Sequence, residues 1–305
     1  NEDSGGAYGP FDSMSKLETV CVPAGAYSDY ATAYKAYLPS TARMKAIGAT
    51  EDFQIDDGVL TAYLGNGGEV IIPEEVTKIG TSAFQNCTAL TKVTIPESVT
   101  TIGSYVFSGC TGLTEVRIPK SVTTIEGYAF YGCTGLVEIA FSEGLQEIKE
   151  RAFCGCTALR GVAFPASLTT IGSYTFEGCS GMSGGVVIPA AVTSIGEYAF
   201  SNCTGLDGKL IIEAGKAKTI GDYAFSGCSK LSGVELGTGI MSIGQYAFYN
   251  CSGLRGNLVI PDSVTSIGGS AFGGCGFDGT LTLSANLTSL GTYAFSNCKG
   301  FTGEL

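Results

Sequence analysis

The chain has no histidine and no tryptophan in 305 residues, and only 15% of it is charged. Without histidine there is no imidazole base for a Ser-His or Cys-His nucleophile pair. Zinc also loses one of its usual ligands. Positive charge is scarce: 17 lysines and arginines stand against 28 aspartates and glutamates, for a formal net charge of −11. That balance argues against nucleic acid as a partner and against an anionic membrane surface. No run of 18 apolar residues occurs, so no membrane span is expected. No Walker loop is present and no signal peptide is expected, and the polar, glycine-rich residues 1–10 read either as a linker left after processing or simply as the edge of the segment. Adjacent carboxylates such as Asp56/Asp57 and Glu74/Glu75 fall in turn sequences and read as solvated. Neither catalysis nor a cofactor is expected.

What the chain has is repetition. Phe-x-x-Cys recurs from Phe84/Cys87 to Phe295/Cys298, and its ten cysteines lie 23 to 25 residues apart. A fixed period in the low twenties marks a solenoid, whose units are too small to bury an apolar face alone. The unit Leu90–Cys110 shows the logic. Val93 and Ile95 alternate with Lys92 and Thr94, as in a half-buried strand. Pro96 ends that strand. Val99 and Ile102 point inward from a second extended segment, and Gly103 turns the chain. Residues 104–109 are expected as one helical or 3₁₀ turn, with Phe107 plugging the interior and Cys110 on the same face. The inward isoleucine recurs from Ile79 to Ile267, with Leu290 in the last unit. Stacked in parallel at about 4.8 Å per rung, ten rungs span roughly 50 Å. The longer units carry a glycine-containing insertion such as Ser183-Gly184-Gly185, which belongs at a corner.

The pattern L-x-x-V-x-I-P-x-x-V-T-x-I-G-x-Y-A-F-x-x-C resembles the BspA-like leucine-rich repeat, almost continuously over residues 59–305. The resemblance implies an α/β repeat fold, a leucine-rich-repeat solenoid of about ten units with short parallel strands. It also implies an extracellular or bacterial cell-surface setting, as an outer-membrane lipoprotein or a secreted protein, and a role in adhesion or partner binding.

Three segments are expected. Residues 1–50 hold a partial repeat and a helical cap. Phe11, Met14, Leu17, Val20 and Val22 match Phe84, Cys87, Leu90, Val93 and Ile95, followed by a short helix from Ser28, a break at Pro39 and a short turn capped by Ser40. Residues 51–72 form two hairpins, turning at Asp56-Asp57-Gly58 and Asn66-Gly67-Gly68, that cap the main array. Residues 73–305 are the solenoid. It stops where the next strand would begin, so the natural chain is expected to continue or its last rung to meet another chain.

The ladder cysteines lie about 4.8 Å apart, beyond disulfide Cβ spacing. They read as buried thiols acting as small hydrophobes. Cys154 sits off the ladder beside Cys156, too few ligands for a metal, and Cys21 is expected to face outward as a reactive thiol. Asn-x-Ser/Thr occurs at Asn86, Asn202, Asn250 and Asn286, which matters only in a glycosylating host. Seven tyrosines at one repeat position, from Tyr105 to Tyr293, read either as a shield over the Phe ladder or as a binding stripe.

The outward strand residues are Thr94, Arg117, Ala140, Ala163, Val187, Ile211, Glu235, Val259 and Thr282. By the resemblance they lie on the concave face. Ala140, Ala163, Val187 and Ile211 form an apolar patch rimmed by Arg117 and Glu235, the candidate partner-binding residues. The competing reading is that outward β-branched residues simply favour strands. Three functions follow: a non-catalytic module binding a protein partner such as a host-surface or matrix protein, a glycan-binding envelope module, or a structural spacer presenting another domain. The outward row has no aromatic platform, which weighs against the glycan module.

Overall fold

The structure is a computed structural model describing strands β1 (Thr19–Pro23) and β2 (Arg43–Ile47) and residues 52–216 and 218–303. The expected helix from Ser28, the Phe11/Met14/Leu17 match and the Cys21 side chain lie outside the described residues. β1 and β2 pair in parallel, Thr19 opposite Arg43 and Pro23 opposite Ile47. The turn expected to run from Ser40 to Ile47 is therefore corrected over residues 43–47, which form a strand. Arg43-Met-Lys-Ala-Ile has no glycine or proline to prevent extension.

β3 (Phe53–Asp56) and β4 (Val59–Tyr63) form an antiparallel hairpin. Its turn residues Asp57 and Gly58 have φ of 48° and 73°, the left-handed pair that suits a two-residue loop. The second expected hairpin is corrected. β5 (Gly68–Ile71) leaves β4 and pairs in parallel with β7 (Leu90–Thr94), while β4 pairs with β6 (Lys78–Ile79). Gly67 and Gly68, with φ of 90° and 79°, carry the chain round a solenoid corner instead. A Cβ on Gly67 would lie 2.5 Å from the Ala89 backbone, so the corner requires glycine there.

The solenoid closes each rung with three ladders. The first holds the Val-x-Ile segments, in sheets of four, three and two strands. The second holds the two-residue Thr-Ile segments and joins twelve strands from Phe53–Asp56 to Ser289–Leu290, unbroken. The third corrects the expected helical turn: no helix occurs among the described residues. Along residues 105–110, Ser108 N–H donates to Tyr105 O and Cys110 N–H to Phe107 O, as turns do. The alternate groups donate sideways to the next rung: Tyr105 to Gly127 O, Phe107 to Ala129 O, Gly109 to Tyr131 O, at 3.2, 2.7 and 2.8 Å. Sideways bonding takes the N–H groups a helix would use. It also places two residues per unit at positive φ, here Tyr105 at 58° and Gly109 at 73°.

The second of these left-handed positions, just before the ladder cysteine, is always asparagine or glycine: Asn86, Gly109, Gly132, Gly155, Gly178, Asn202, Gly227, Asn250, Gly274 and Asn297. Glycine has no Cβ to clash there, and asparagine is the side chain that tolerates it best. Three of the four Asn-x-Ser/Thr sequences thus arise from a backbone requirement.

Inside, the phenylalanines stack continuously. Ring centroids from Phe84 to Phe295 are 5.0 to 5.3 Å apart in successive rungs. Tyr63 extends the column over Phe84 at 4.8 Å. Phe84 through Phe272 are fully buried, each worth about 1.5–3 kcal/mol in burial. The isoleucines Ile79 through Ile267 are buried beside them, whereas Leu290, on the last described rung, is 51% exposed. The ladder thiols do more than fill space. Cys110 Sγ donates to Phe84 O at 3.1 Å, and every later ladder cysteine repeats the bond one rung on, to Cys298 with Phe272 O at 2.9 Å.

Candidate binding surface

Two lines of side chains face solvent along the array. The first is the outward strand row. Thr94, Arg117, Ala140, Ala163, Val187, Glu235, Val259 and Thr282 are exposed, and Ile211 is half-buried. Alternation along each strand sends Val186 and Ile188 inward and leaves Val187 47% exposed. Arg117 lies opposite Ala140, and Val187, Ile211 and Glu235 lie opposite one another in register. Ile71, opposite Thr94, extends the row and is 74% exposed. It was not expected, because it lies before the first regular unit.

Ala163 departs from expectation. Residues 162–164 form no strand, so the first ladder breaks between Glu138–Ala140 and Val186–Ile188. Beneath this break two rings replace aliphatic side chains. Phe141 and Phe164 stand where other units hold isoleucine or leucine, and their rings stack at 6.1 Å. They meet the Phe column edge-on, Phe141 against Phe153 at 5.8 Å and Phe164 against Phe176 at 5.7 Å. Two rings fill aliphatic slots at this break, and the ladder breaks again between Gly233–Leu236 and Leu258–Val259, where the slots hold Leu236 and Ile260. Beside Ala163 lies a shallow groove of about 300 Å³ lined by Ala163, Phe164, Ala166, Val187, Pro189 and Glu213. A second groove, of about 450 Å³, lies over Arg117 and Ala140 between Lys92, Glu97, Glu115 and Glu138.

The row itself carries two charges, Arg117 and Glu235, and only Glu235 is in an ion pair among the described residues. Glu235 is bound by Lys209 at 2.9 Å, and Lys92 pairs with Glu115. Glu235 is thus half of an exposed ion pair, not a bare rim charge, and such pairs contribute little to stability.

The second line is the tyrosine stripe on the turn side. Its rings stack face to face: Tyr105 on Tyr128 at 4.6 Å, then Tyr174, Tyr198, Tyr223 and Tyr246 at 4.6 to 4.7 Å. Arg151 fills the unit between Tyr128 and Tyr174. Its guanidinium carbon lies 5.9 and 4.0 Å from the two ring centres, and Glu177 stands 3.8 Å away.

No group of three metal-ligating side chains lies together among the described residues. Cys154 turns from the ladder toward Glu177, Sγ to Oε2 3.6 Å, and burial together with that carboxylate pushes its thiol up to about 11. No helix of the described residues is long and apolar enough to cross a membrane.

The ladders, the Phe column and the 23–25-residue period define a leucine-rich-repeat solenoid. The family model for the BspA type Leucine rich repeat region, in six copies, matches residues 62–183 and 184–302, and the chain belongs to that family. A leucine rich cell surface protein from Faecalibacterium prausnitzii A2-165 is 24% identical, over 83% of this chain and 93% of that one, with a TM-score of 0.45. The leucine rich repeat protein of T. pallidum is 25% identical over 83% and 90%, with a TM-score of 0.49. One from Bacteroides ovatus ATCC 8483 is 24% identical over 79% and 80%, with a TM-score of 0.46. No curated protein matches the chain.

Proposed function

We propose that the chain is a non-catalytic, cell-surface or secreted module that binds a protein partner through its outward strand row. The observation that supports this most is the break at Ala163. It lies at a largely apolar groove, edged by Phe164 and Val187 with Glu213 at its rim, within a stretch of the row from Ala140 to Ile211 that carries no charge. An apolar centre with a polar rim is how protein contact sites are built. Family membership supports the setting and the absence of catalysis. Residues 73–305 form the binding array in this reading, and residues 51–72 cover its first rung.

The test is binding of the purified chain to a panel of host-surface proteins and glycans, beside a variant carrying Ala140→Glu, Ala163→Glu and Val187→Glu. All three side chains are exposed, so the variant should fold normally. Protein binding lost in the variant supports the reading. Binding retained by the variant removes the row as the contact site. Binding to nothing favours a spacer role.

A further inference from the structure

The tyrosine stripe has one gap with a ring on each side. Ser270 occupies the tyrosine position between Tyr246 and Tyr293. It keeps the left-handed backbone of that position, φ 51° against 54° and 61° for its neighbours. The backbone there is the usual one and only the ring is missing. Successive rings elsewhere are 4.6 to 4.7 Å apart, so one missing ring leaves walls about 9 Å apart. The space is open, about 370 Å³, lined by Gln245, Tyr246, Gly269, Ser270, Thr292 and Tyr293. Tyr246 is braced by the edge of Tyr249, 5.3 Å away at 82°. Tyr293 is 72% exposed.

The chain shows what suits such a gap. The one other unit between two tyrosine rungs that lacks its own tyrosine is that of Arg151. Its guanidinium lies between Tyr128 and Tyr174, with centre-to-centre distances of 5.9 and 4.0 Å that sum to 9.9 Å. A guanidinium is planar, weakly hydrated and attracted to ring faces, and its long stem reaches a slot from outside. No charged side chain lines the Ser270 slot. The chain as a whole carries a net charge of −11, which draws cationic groups toward it.

The geometry points to the slot between Tyr246 and Tyr293 as a binding site for an arginine side chain of a protein partner, stacked between two rings as Arg151 is, without the carboxylate that Glu177 sets 3.8 Å from Arg151. The slot lies on the turn side, away from the strand row, so it does not depend on the function proposed above.

The experiment is NMR of protein labelled with ¹³C in the tyrosine rings, with Tyr246 and Tyr293 assigned through Tyr→Phe variants. The probe is N-acetyl-arginine amide. Controls are the lysine and tyrosine amides and a glucose oligosaccharide. The arginine probe should shift Tyr246 and Tyr293 with a dissociation constant of roughly 30–200 mM, as two exposed cation–π contacts give. The lysine probe should bind at least threefold more weakly. Ser270→Tyr, a residue this position holds in seven other units, should reduce binding at least tenfold. Arg151→Ser should open a second slot and make Tyr128 and Tyr174 respond. The Ala140/Ala163/Val187 variant should bind the probe normally, which separates this site from the strand row. The proposal is overturned by unmoved Tyr246 and Tyr293 signals, by shifts that persist in Ser270→Tyr, or by equal or tighter binding of the tyrosine amide or the oligosaccharide.

Discussion

Gly132→Ala tests the left-handed position before each ladder cysteine with few confounding terms. Gly132 has φ of 67°, and a Cβ built there meets nothing within 4 Å. A loss of stability therefore reports the backbone conformation and not a clash. The left-handed region costs a residue with a Cβ roughly 1–2 kcal/mol. Gly178, with φ of 70° and the same empty surroundings, should cost the same. Being two rungs away, it should add to Gly132→Ala within about 0.5 kcal/mol. Gly132→Asn should cost less than half as much, because asparagine already holds the position at Asn86, Asn202, Asn250 and Asn297. Gly109→Ala should cost more than Gly132→Ala, since its Cβ would lie 2.3 Å from Asn86 Oδ1 and displace that amide. Thermal melts followed by circular dichroism resolve these differences, at about 2–4 °C per kcal/mol for an array of this size. If Gly132→Ala melts with the parent, or if Gly132→Asn melts below Gly132→Ala, the backbone argument is wrong.

Three further outcomes follow from the packing. Phe176→Ala, at a fully buried ring stacked on both sides, should lose about 3–5 kcal/mol in urea melts, while Phe295→Ala, half-buried and stacked on Phe272 alone in the column, should lose less than half of that. The fold should weaken above pH 9: burial raises Cys154 to about 11 and Cys228 to about 12 from an ordinary 9.0, so the unfolded chain sheds their protons first and the folded form loses stability as pH rises. Both thiols together should cost on the order of 2 kcal/mol per pH unit between pH 9 and 11, and a melting temperature flat over that window would refute it. Replacing Phe141 and Phe164 by isoleucine should close the break in the first ladder and slow amide exchange at Ala163 about tenfold; unchanged exchange would show that the rings are not its cause.

The core was legible because its signal is positional. Phe107, Cys110, Ile102 and Val99 recur at fixed spacing, and all are buried. The outward row was legible for the same reason, since period-two alternation fixes which residues leave the sheet. What the spacing could not convey was lateral bonding. A six-residue segment such as 104–109 suits a helical turn locally, and only the neighbouring rung supplies the carbonyls that pull it out of that form. The recurring Asn or Gly before cysteine did not separate the two forms, since a helical turn also commonly ends on a left-handed Gly or Asn. Phe141 and Phe164 look like conservative changes at an inward position, yet their rings stack on each other beside the break at Ala163. Lys218 shows the same limit. Its sequence suggests a solvated residue, but its side chain is fully buried and Nζ donates to Pro189 O and Ala190 O at 3.2 and 2.8 Å.

The division of labour within a rung explains why surface and core carry separate information. Closing a rung takes the inward Val and Ile positions, the Phe, the thiol that donates to the previous Phe carbonyl, and two left-handed residues. None of these requirements reaches the middle residue of the first strand, which is free to be Thr94, Arg117, Ala140 or Val187. The tyrosine position is constrained differently. Its backbone is held at positive φ by the sideways bond, as Tyr105 N–H to Gly127 O shows, whatever the side chain. The rings therefore add stacking to a backbone that forms without them, and Ser82, Arg151 and Ser270 take the same φ. A vacancy at such a position leaves the rung intact and leaves two exposed ring faces with no partner between them, so Ser270 can serve recognition at little structural cost. Ser270→Tyr should accordingly raise stability by no more than about 0.5–1.5 kcal/mol for each neighbouring ring it stacks on. A larger rise would mean that the gap strains the array, and it would count against a slot kept open for a ligand.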